Sequence, residues 1–412
     1  MSLLIVLYVS SIFLTIADHC DTYNGPIAGN KNISECINGG KTKSSGLDVT
    51  PYDFIKNQGY PAEDHFVLTK DGYILTLNRI PGPPNASVVL LHHGFPATSF
   101  DWIVLGKNRA LAFLLADQGY DVWLGNSRGG LYSACHVKYT TSEYSFWNFS
   151  FHEIAVYDLP AEINYIEKIR DHVDMYYIGH SMGATISYIM VIERPELTSK
   201  FKILIGLAPV GFLGHAKGIL PFFAPFATLV EPIINYSLAG EIFQQTKLKD
   251  IMQKFCILSQ LTEQLCLFFR FTVFGIDFSQ IDYEIVPLNV HHGFVPSAFK
   301  IAVHYAQLIV SGKFRQYDYG FLGNLKSYHS FTPPDYELSR IQTPVGLIWA
   351  ENDLLATSED VIHLYSKIPT VMLYHKINYS RFNHLDFVHA KNASELVYTK
   401  VISVLKNIEN HL

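Results

Sequence analysis

The pentapeptide Gly179-His180-Ser181-Met182-Gly183 is where the sequence offers chemistry. It sits between the apolar run Met175-Tyr176-Tyr177-Ile178, which reads as a strand, and a helical pattern from Met182 to Ile192. A serine in such a strand-to-helix turn, with glycines leaving room for the crossing, is held in a strained conformation with its hydroxyl presented at the end of a sheet. A plain turn serine would share the residue types but not this setting. A hydroxyl is a poor nucleophile until a base takes its proton, so a histidine and an orienting carboxylate must follow in the chain. Asp353 lies just after the strand pattern Val345 to Trp349, with Glu351 as its local rival. His384, in Phe382-Asn383-His384-Leu385-Asp386-Phe387, follows the last strand pattern by a short loop. It is favoured among 18 histidines because His375 falls inside that strand and His389 lies further along. Acyl chemistry also needs backbone N–H groups aimed at a developing oxyanion. Met182, next to the serine, and Phe95, in Leu91-His92-His93-Gly94-Phe95, are the candidates.

These residues need a frame. Asp64 to Ile80 reads as a hairpin turning at Asp71-Gly72, since Asp-Gly supplies the positive φ angles of a tight turn. Short apolar strands then alternate with helical patterns: Val88 to Leu91, Asn108 to Asp117, Tyr120 to Leu124, Leu159 to Arg170, Met175 to Ile178, Met182 to Ile192 and Ile203 to Leu207. Such alternation predicts an α/β fold, a mostly parallel central sheet with helices on both faces. It breaks at Val210, gives way to an aromatic-rich stretch, and resumes at Val345 to Trp349, Val371 to Tyr374 and a helix over 394–408. The expected domains are a core from 59–209 and 335–412 and an inserted, mainly helical cap over 210–334. Within the cap, the apolar segment Phe255 to Phe274 contains Glu263 and Arg270, which make a membrane span costly. A buried or interfacial helix pair is expected instead.

With 412 residues, 49% hydrophobic and 17% charged, the chain can bury a large core, which excludes a disordered or fibrous class. A net charge of -6 gives no basic footprint for a nucleic-acid partner. The five cysteines contain no C-x2-C pair, so no metal site is expected. The apolar run Leu3 to Leu14, ending in Thr15-Ile16-Ala17, reads as a signal peptide over 1–17, followed by an N-terminal extension over 18–58. It is too short to span a bilayer, so no transmembrane segment is expected. Six N-x-S sequons, at Asn32, Asn85, Asn148, Asn235, Asn378 and Asn392, fit a glycosylated, secreted or lysosomal product. Asn392 is also placed to cap the C-terminal helix.

Beyond these readings, the chain resembles the acid lipases, the gastric and lysosomal enzymes and their insect relatives. The matching blocks are Phe66-Val67-Leu68-Thr69-Lys70-Asp71-Gly72-Tyr73, His93-Gly94, Asp121 to Gly129, Tyr157-Asp158-Leu159-Pro160-Ala161, the Ser181 pentapeptide and Phe382 to Phe387. The resemblance implies an α/β-hydrolase fold, a Ser181, Asp353, His384 triad, an oxyanion hole from Phe95 and Met182, and no cofactor. It implies hydrolysis of neutral-lipid esters at a lipid–water interface, with a steryl-ester or short-chain esterase as the alternative; a non-catalytic lipid carrier would lack a triad member. It matches Cys256 and Cys266 to a disulfide of the cap and Cys135 to a free cysteine, leaving Cys20 and Cys36 as an extra pair. Asn126, Ser127 and Arg128 are read as support near the site. Two departures stand out: Met182 where the family usually has Gln, and His92 where it usually has Gln before His-Gly. A backbone donor survives the first change, so what it puts in question is acyl-chain preference.

Overall fold

The computed structural model describes residues 49–171, 174–242, 254–256, 258–293 and 295–410. The expected signal peptide over 1–17, most of the expected 18–58 extension, Asn32, Cys20 and Cys36 lie outside the described residues. Nine strands of the described residues form the central sheet: β1 (Glu63–Leu68), β2 (Tyr73–Ile80), β3 (Val88–His92), β4 (Asp121–Gly125), β5 (Cys135–His136), β6 (Met175–His180), β7 (Phe201–Leu207), β8 (Val345–Trp349) and β9 (Val371–Lys376). They are ordered β1-β2-β4-β3-β6-β7-β8-β9, with the short β5 pairing on β2. The hairpin β1–β2 and the β2–β4 pair are antiparallel, while β4, β3, β6, β7, β8 and β9 run parallel. In β3 and β6 every residue is buried, as expected of parallel strands covered on both faces.

Helices α1 (Pro51–Asn57), α2 (Leu111–Asp117), α3 (Leu159–Arg170) and α4 (Met182–Glu193) accompany the first half of the sheet. α1 starts on a side-chain cap from Thr50, and its Ile55 is fully buried, so the packed core reaches back to Pro51. Met182 through Ile192 of α4 are all buried, the mark of a helix enclosed on every side. Every strand and helix read from the sequence in this half is found where it was expected, within a few residues.

Between β7 and β8 the chain is mostly helical: α5 (Ala227–Ser237), α6 (Gln260–Phe274), α7 (Val286–Gly293), α8 (Phe299–Ser311) and α9 (Gly320–Tyr328), with a two-stranded ribbon of Glu241–Ile242 and Ser297–Ala298. Cys256 and Cys266 are disulfide-bonded, with a Cα separation of 5.7 Å. Cys135 is also disulfide-bonded, which corrects the expectation of a free thiol; its partner lies outside the described residues. The free state was implied by the family resemblance alone, and residue type does not distinguish a bonded cysteine from a free one. Among the described residues no helix is long and apolar enough to cross a membrane. The chain closes with α10 (Ser358–Lys367), the short α11 (Asp386–His389) and α12 (Thr399–Asn410). Asn392 does not cap that last helix with its side chain; the turn before α12 has Ala393 at its cap position.

Candidate active site

Ser181 sits where β6 ends and α4 begins, and its backbone has φ 53° and ψ -112°. A positive φ on a residue with a Cβ is strained, and the surroundings enforce it. Ser181 N–H donates to the Leu207 carbonyl at 2.9 Å, and the N–H groups of Ala184 and Thr185 return to the Ser181 carbonyl. The flanking glycines are steric necessities. A Cβ on Gly179 would lie 2.3 Å from the Gly183 carbonyl carbon, and one on Gly183 would lie 2.2 Å from the His92 carbonyl oxygen.

Three side chains converge there. Ser181 Oγ is 2.8 Å from His384 Nε2, and His384 Nδ1 is 2.8 Å from Asp353 Oδ2. A carboxylate only accepts, so Nδ1 carries the proton and Nε2 offers a lone pair to the serine hydroxyl. The other oxygen of Asp353 accepts the N–H groups of Leu355 and Ala356, at 2.8 and 2.9 Å, which fixes the carboxylate plane. All three residues are buried, at 8% exposure or less, where charge interactions are least screened by water. The rivals are engaged elsewhere. Glu351 is exposed and pairs with Lys376 at 2.6 Å. His389 lies between Asp101 (3.1 Å) and Arg270 (2.7 Å), and His375 stays within β9.

The loop after β3 approaches the serine closely: a Cβ on Gly94 would be 3.2 Å from Ser181 Cβ. Phe95 follows in that loop, and Met182 opens α4, where first-turn N–H groups have no acceptor within the helix. The histidine preceding Gly94 is locked. His93 Nε2 accepts the Ser127 N–H at 3.1 Å, so Nδ1–H donates to the Gly94 carbonyl at 2.7 Å. Burial, with His92 alongside, pushes His93 down to about 3, so it stays neutral. The Asn126-Ser127-Arg128 stretch is structural, as expected. Asn126 bridges Ser99, Thr76 and Asn78, and Arg128 binds Asp158 and Asp71 from a buried position.

One contributor went unread in the sequence. His180 Nε2–H donates to the His384 carbonyl at 2.8 Å, and burial keeps the imidazole neutral by pushing it down to about 3. The only sequence signal was its place inside the pentapeptide. Among the described residues no three His, Cys, Asp or Glu side chains gather as a metal site would require.

Residues 51–106 match a family described as a partial α/β-hydrolase lipase region, and residues 87–236 match the α/β-hydrolase fold. The chain is 35% identical over 391 residues to Lipase 3 of Drosophila melanogaster, covering 93% of this chain and 95% of that one. It is 35% identical to gastric triacylglycerol lipase of Bos taurus, covering 90% and 94%, and 34% identical to lipase member K of Homo sapiens, covering 84% and 88%. Among solved structures, a protein of Acinetobacter baumannii described as a lipase aligns with a TM-score of 0.51 at 14% identity, over 90% of this chain and 99% of that one, a likeness of fold. Matched over nearly its whole length at this level of identity, the chain belongs to the α/β-hydrolase lipase family.

Proposed function

We propose that the protein hydrolyses carboxylic ester bonds of neutral lipids, of the triacylglycerol type, through an acyl-enzyme on Ser181. The observation that carries the reading is the Ser181–His384–Asp353 chain of hydrogen bonds at a strained elbow, in a chain 35% identical to a gastric triacylglycerol lipase. Ser181 Oγ attacks the ester carbonyl while His384 Nε2 takes its proton. Asp353 holds the resulting imidazolium through Nδ1–H. The N–H groups of Phe95 and Met182 are the expected donors to the oxyanion. Collapse of the tetrahedral intermediate expels the alcohol, which leaves with the proton from His384. Water, activated by the same histidine, then frees the fatty acid and restores the serine.

Residues 210–334 serve as a cap over this site, and their apolar faces meet the lipid. The chain acts outside the cytosol, secreted or in the lysosome. Of the six sequons, Asn85, Asn148 and Asn378 are exposed and outside helices and strands, as a glycan-bearing residue must be.

The test is turnover by the purified protein on a triacylglycerol emulsion, a cholesteryl ester and a soluble short-chain ester, beside Ser181→Ala. Fastest turnover of triacylglycerol, lost by several orders of magnitude in the variant, is expected because triad members act as a unit. A preference for the cholesteryl ester, or activity on the soluble ester alone, would replace the substrate class. Turnover of none of the three would overturn the proposal.

A further inference from the structure

The backbone of His384 is held from two directions, and neither is its own loop. Its carbonyl accepts from His180, as described above, and its N–H donates to the Phe274 carbonyl at 3.2 Å, at the C-terminal end of α6. The Phe274 ring lies nearly parallel to the His384 imidazole, with centroids 5.7 Å apart and an interplanar angle of 12°. The next carbonyl, that of Gly275, accepts Asn383 Nδ2–H at 3.1 Å. The one after, Ile276, accepts Asn352 Nδ2–H at 3.1 Å, and the same amide nitrogen reaches the Arg381 carbonyl at 2.7 Å. Three consecutive residues within the long excursion between β7 and β8 therefore bind both the loop that carries Asp353 and the loop that carries His384.

So close an approach requires a glycine. Gly275 has φ 112°, and a Cβ there would lie 2.2 Å from the Asn352 carbonyl oxygen and 2.9 Å from Asn383 Cβ. A second glycine works in the same place: a Cβ on Gly218 would lie 2.2 Å from the Thr272 carbonyl oxygen. Lys217 N–H donates to the Leu354 carbonyl at 2.7 Å, and Ile219 N–H donates to that of Thr272 at 3.1 Å.

We propose that the Phe274-Gly275 turn positions the triad base: it fixes the His384 N–H and ring, and through Asn383 and Asn352 the two loops that bear His384 and Asp353. The inference rests on the catalytic reading of Ser181 and His384 and adds Phe274 and Gly275 to it as positioning residues. Proton transfer demands that Nε2 stay within hydrogen-bond reach of Ser181 Oγ, and a displacement of about 1 Å costs roughly a hundredfold in rate.

The experiment compares Gly275→Ala, Phe274→Leu and Gly320→Ala on a soluble short-chain ester, which asks nothing of a lipid surface. Gly320 is the control for an added methyl at a positive φ, since it has φ 73° and no atom within 4 Å of an added Cβ; Gly275, at φ 112° and ψ 148°, adds the collision beside the triad. Gly275→Ala is expected to lower kcat at least about tenfold with KM within about twofold, because the defect lies in the base and not in the pocket. Phe274→Leu keeps the backbone carbonyl and apolar bulk and loses the stacked ring, for an expected fall in kcat of about threefold to tenfold at a Tm near wild type. Gly320→Ala keeps wild-type kcat. A folded Gly275→Ala with wild-type kcat overturns the proposal. Should Gly275→Ala fail to fold, wild-type kcat in Phe274→Leu overturns it alone. Full turnover in Ser181→Ala would instead remove the catalytic reading, whereas an inactive Ser181→Ala beside fully active Gly275→Ala and Phe274→Leu would remove only the positioning role.

Discussion

Helices α4 and α5 are similar in length and both rich in apolar residues, yet they meet opposite surroundings. In α4 every residue from Met182 to Ile192 is buried, whereas α5 has no buried residue at all. Leu229 and Ile233 of α5 are 71% and 64% exposed, and Phe222 just before it is 70% exposed. Leu261, Leu265, Phe268 and Phe269 of α6 are exposed as well, while Leu267 and Phe271 face inward. Packing explains α4: it opens on Ser181, the proposed nucleophile, and is enclosed on every side. Packing does not explain α5. A protein in water leaves a large apolar patch open only where something apolar will meet it, and under the proposed function that is the ester-bearing lipid surface. If the proposal holds, one helix fixes the chemistry and the other meets the lipid, so damage to each should fail differently.

The largest effect is expected at the crossing that carries Ser181. Gly183→Ala drives a Cβ into the His92 carbonyl, with backbone on both sides of the collision. The strain of such overpacking, typically about 1–3 kcal/mol, moves Ser181 away from His384. Turnover of every ester, soluble or emulsified, should fall at least about a hundredfold. Equal activity in this variant would show that the tight crossing is dispensable.

A middle-sized and selective effect is expected on the exposed face. Leu229→Ser with Ile233→Ser removes apolar surface that touches little of the protein, so Tm should stay within about 1 °C of wild type. Turnover of an emulsified ester should drop about tenfold, since partition to a lipid surface scales with apolar area buried there, while turnover of a soluble short-chain ester should change less than about twofold. Equal losses on both substrates would break the division between the two helices. The same division implies that the wild-type rate on a poorly soluble ester rises steeply once the ester passes its solubility limit, against simple saturation for a cap that only shapes the pocket.

The smallest effect concerns pH. Asp386 is buried two residues beyond His384 and accepts the Asn383 N–H at 2.7 Å. Burial, with the negative Asp277 and Asp353 nearby, pushes its carboxyl up to about 8. The folded protein therefore holds this proton more tightly than the unfolded chain does. Its contribution is fully present below about pH 4, the ordinary carboxylate value, and is lost as pH rises through about 8. Asp386→Asn keeps an uncharged acceptor at every pH, so its Tm should decline less than that of wild type between about pH 6 and 8. Parallel Tm curves would remove the buried carboxyl from the account.

The parts of this organisation that were readable in the sequence are the local ones. Ser181 announced itself because a strand, a glycine-flanked turn and a helix are consecutive in the chain. Asp353 and His384 followed because each lies just past an apolar strand, and the exposed Glu351 and the strand-bound His375 were separable on the same ground. The grip of Phe274 on the His384 N–H was not legible. It joins backbone groups 110 positions apart, and a carbonyl acceptor leaves no mark on residue type. Gly275 was visible only as a glycine following an apolar helix, which is an ordinary helix ending. The pairing of His389 with Asp101 and Arg270 was hidden for the same reason, since polar side chains from three distant segments meet only after the chain has folded. The disulfide at Cys135 was not legible either, since a bonded cysteine and a free one are the same letter in the sequence.

The most direct measurement of the central claim is covalent labelling by a serine-directed alkyl phosphonate, mapped by peptide mass spectrometry. The account predicts one adduct per chain, on Ser181, with labelling lost in Ser181→Ala and slowed at least about a hundredfold in His384→Ala, where the hydroxyl has no base. An adduct on a different residue, or undiminished labelling of Ser181→Ala, would contradict it.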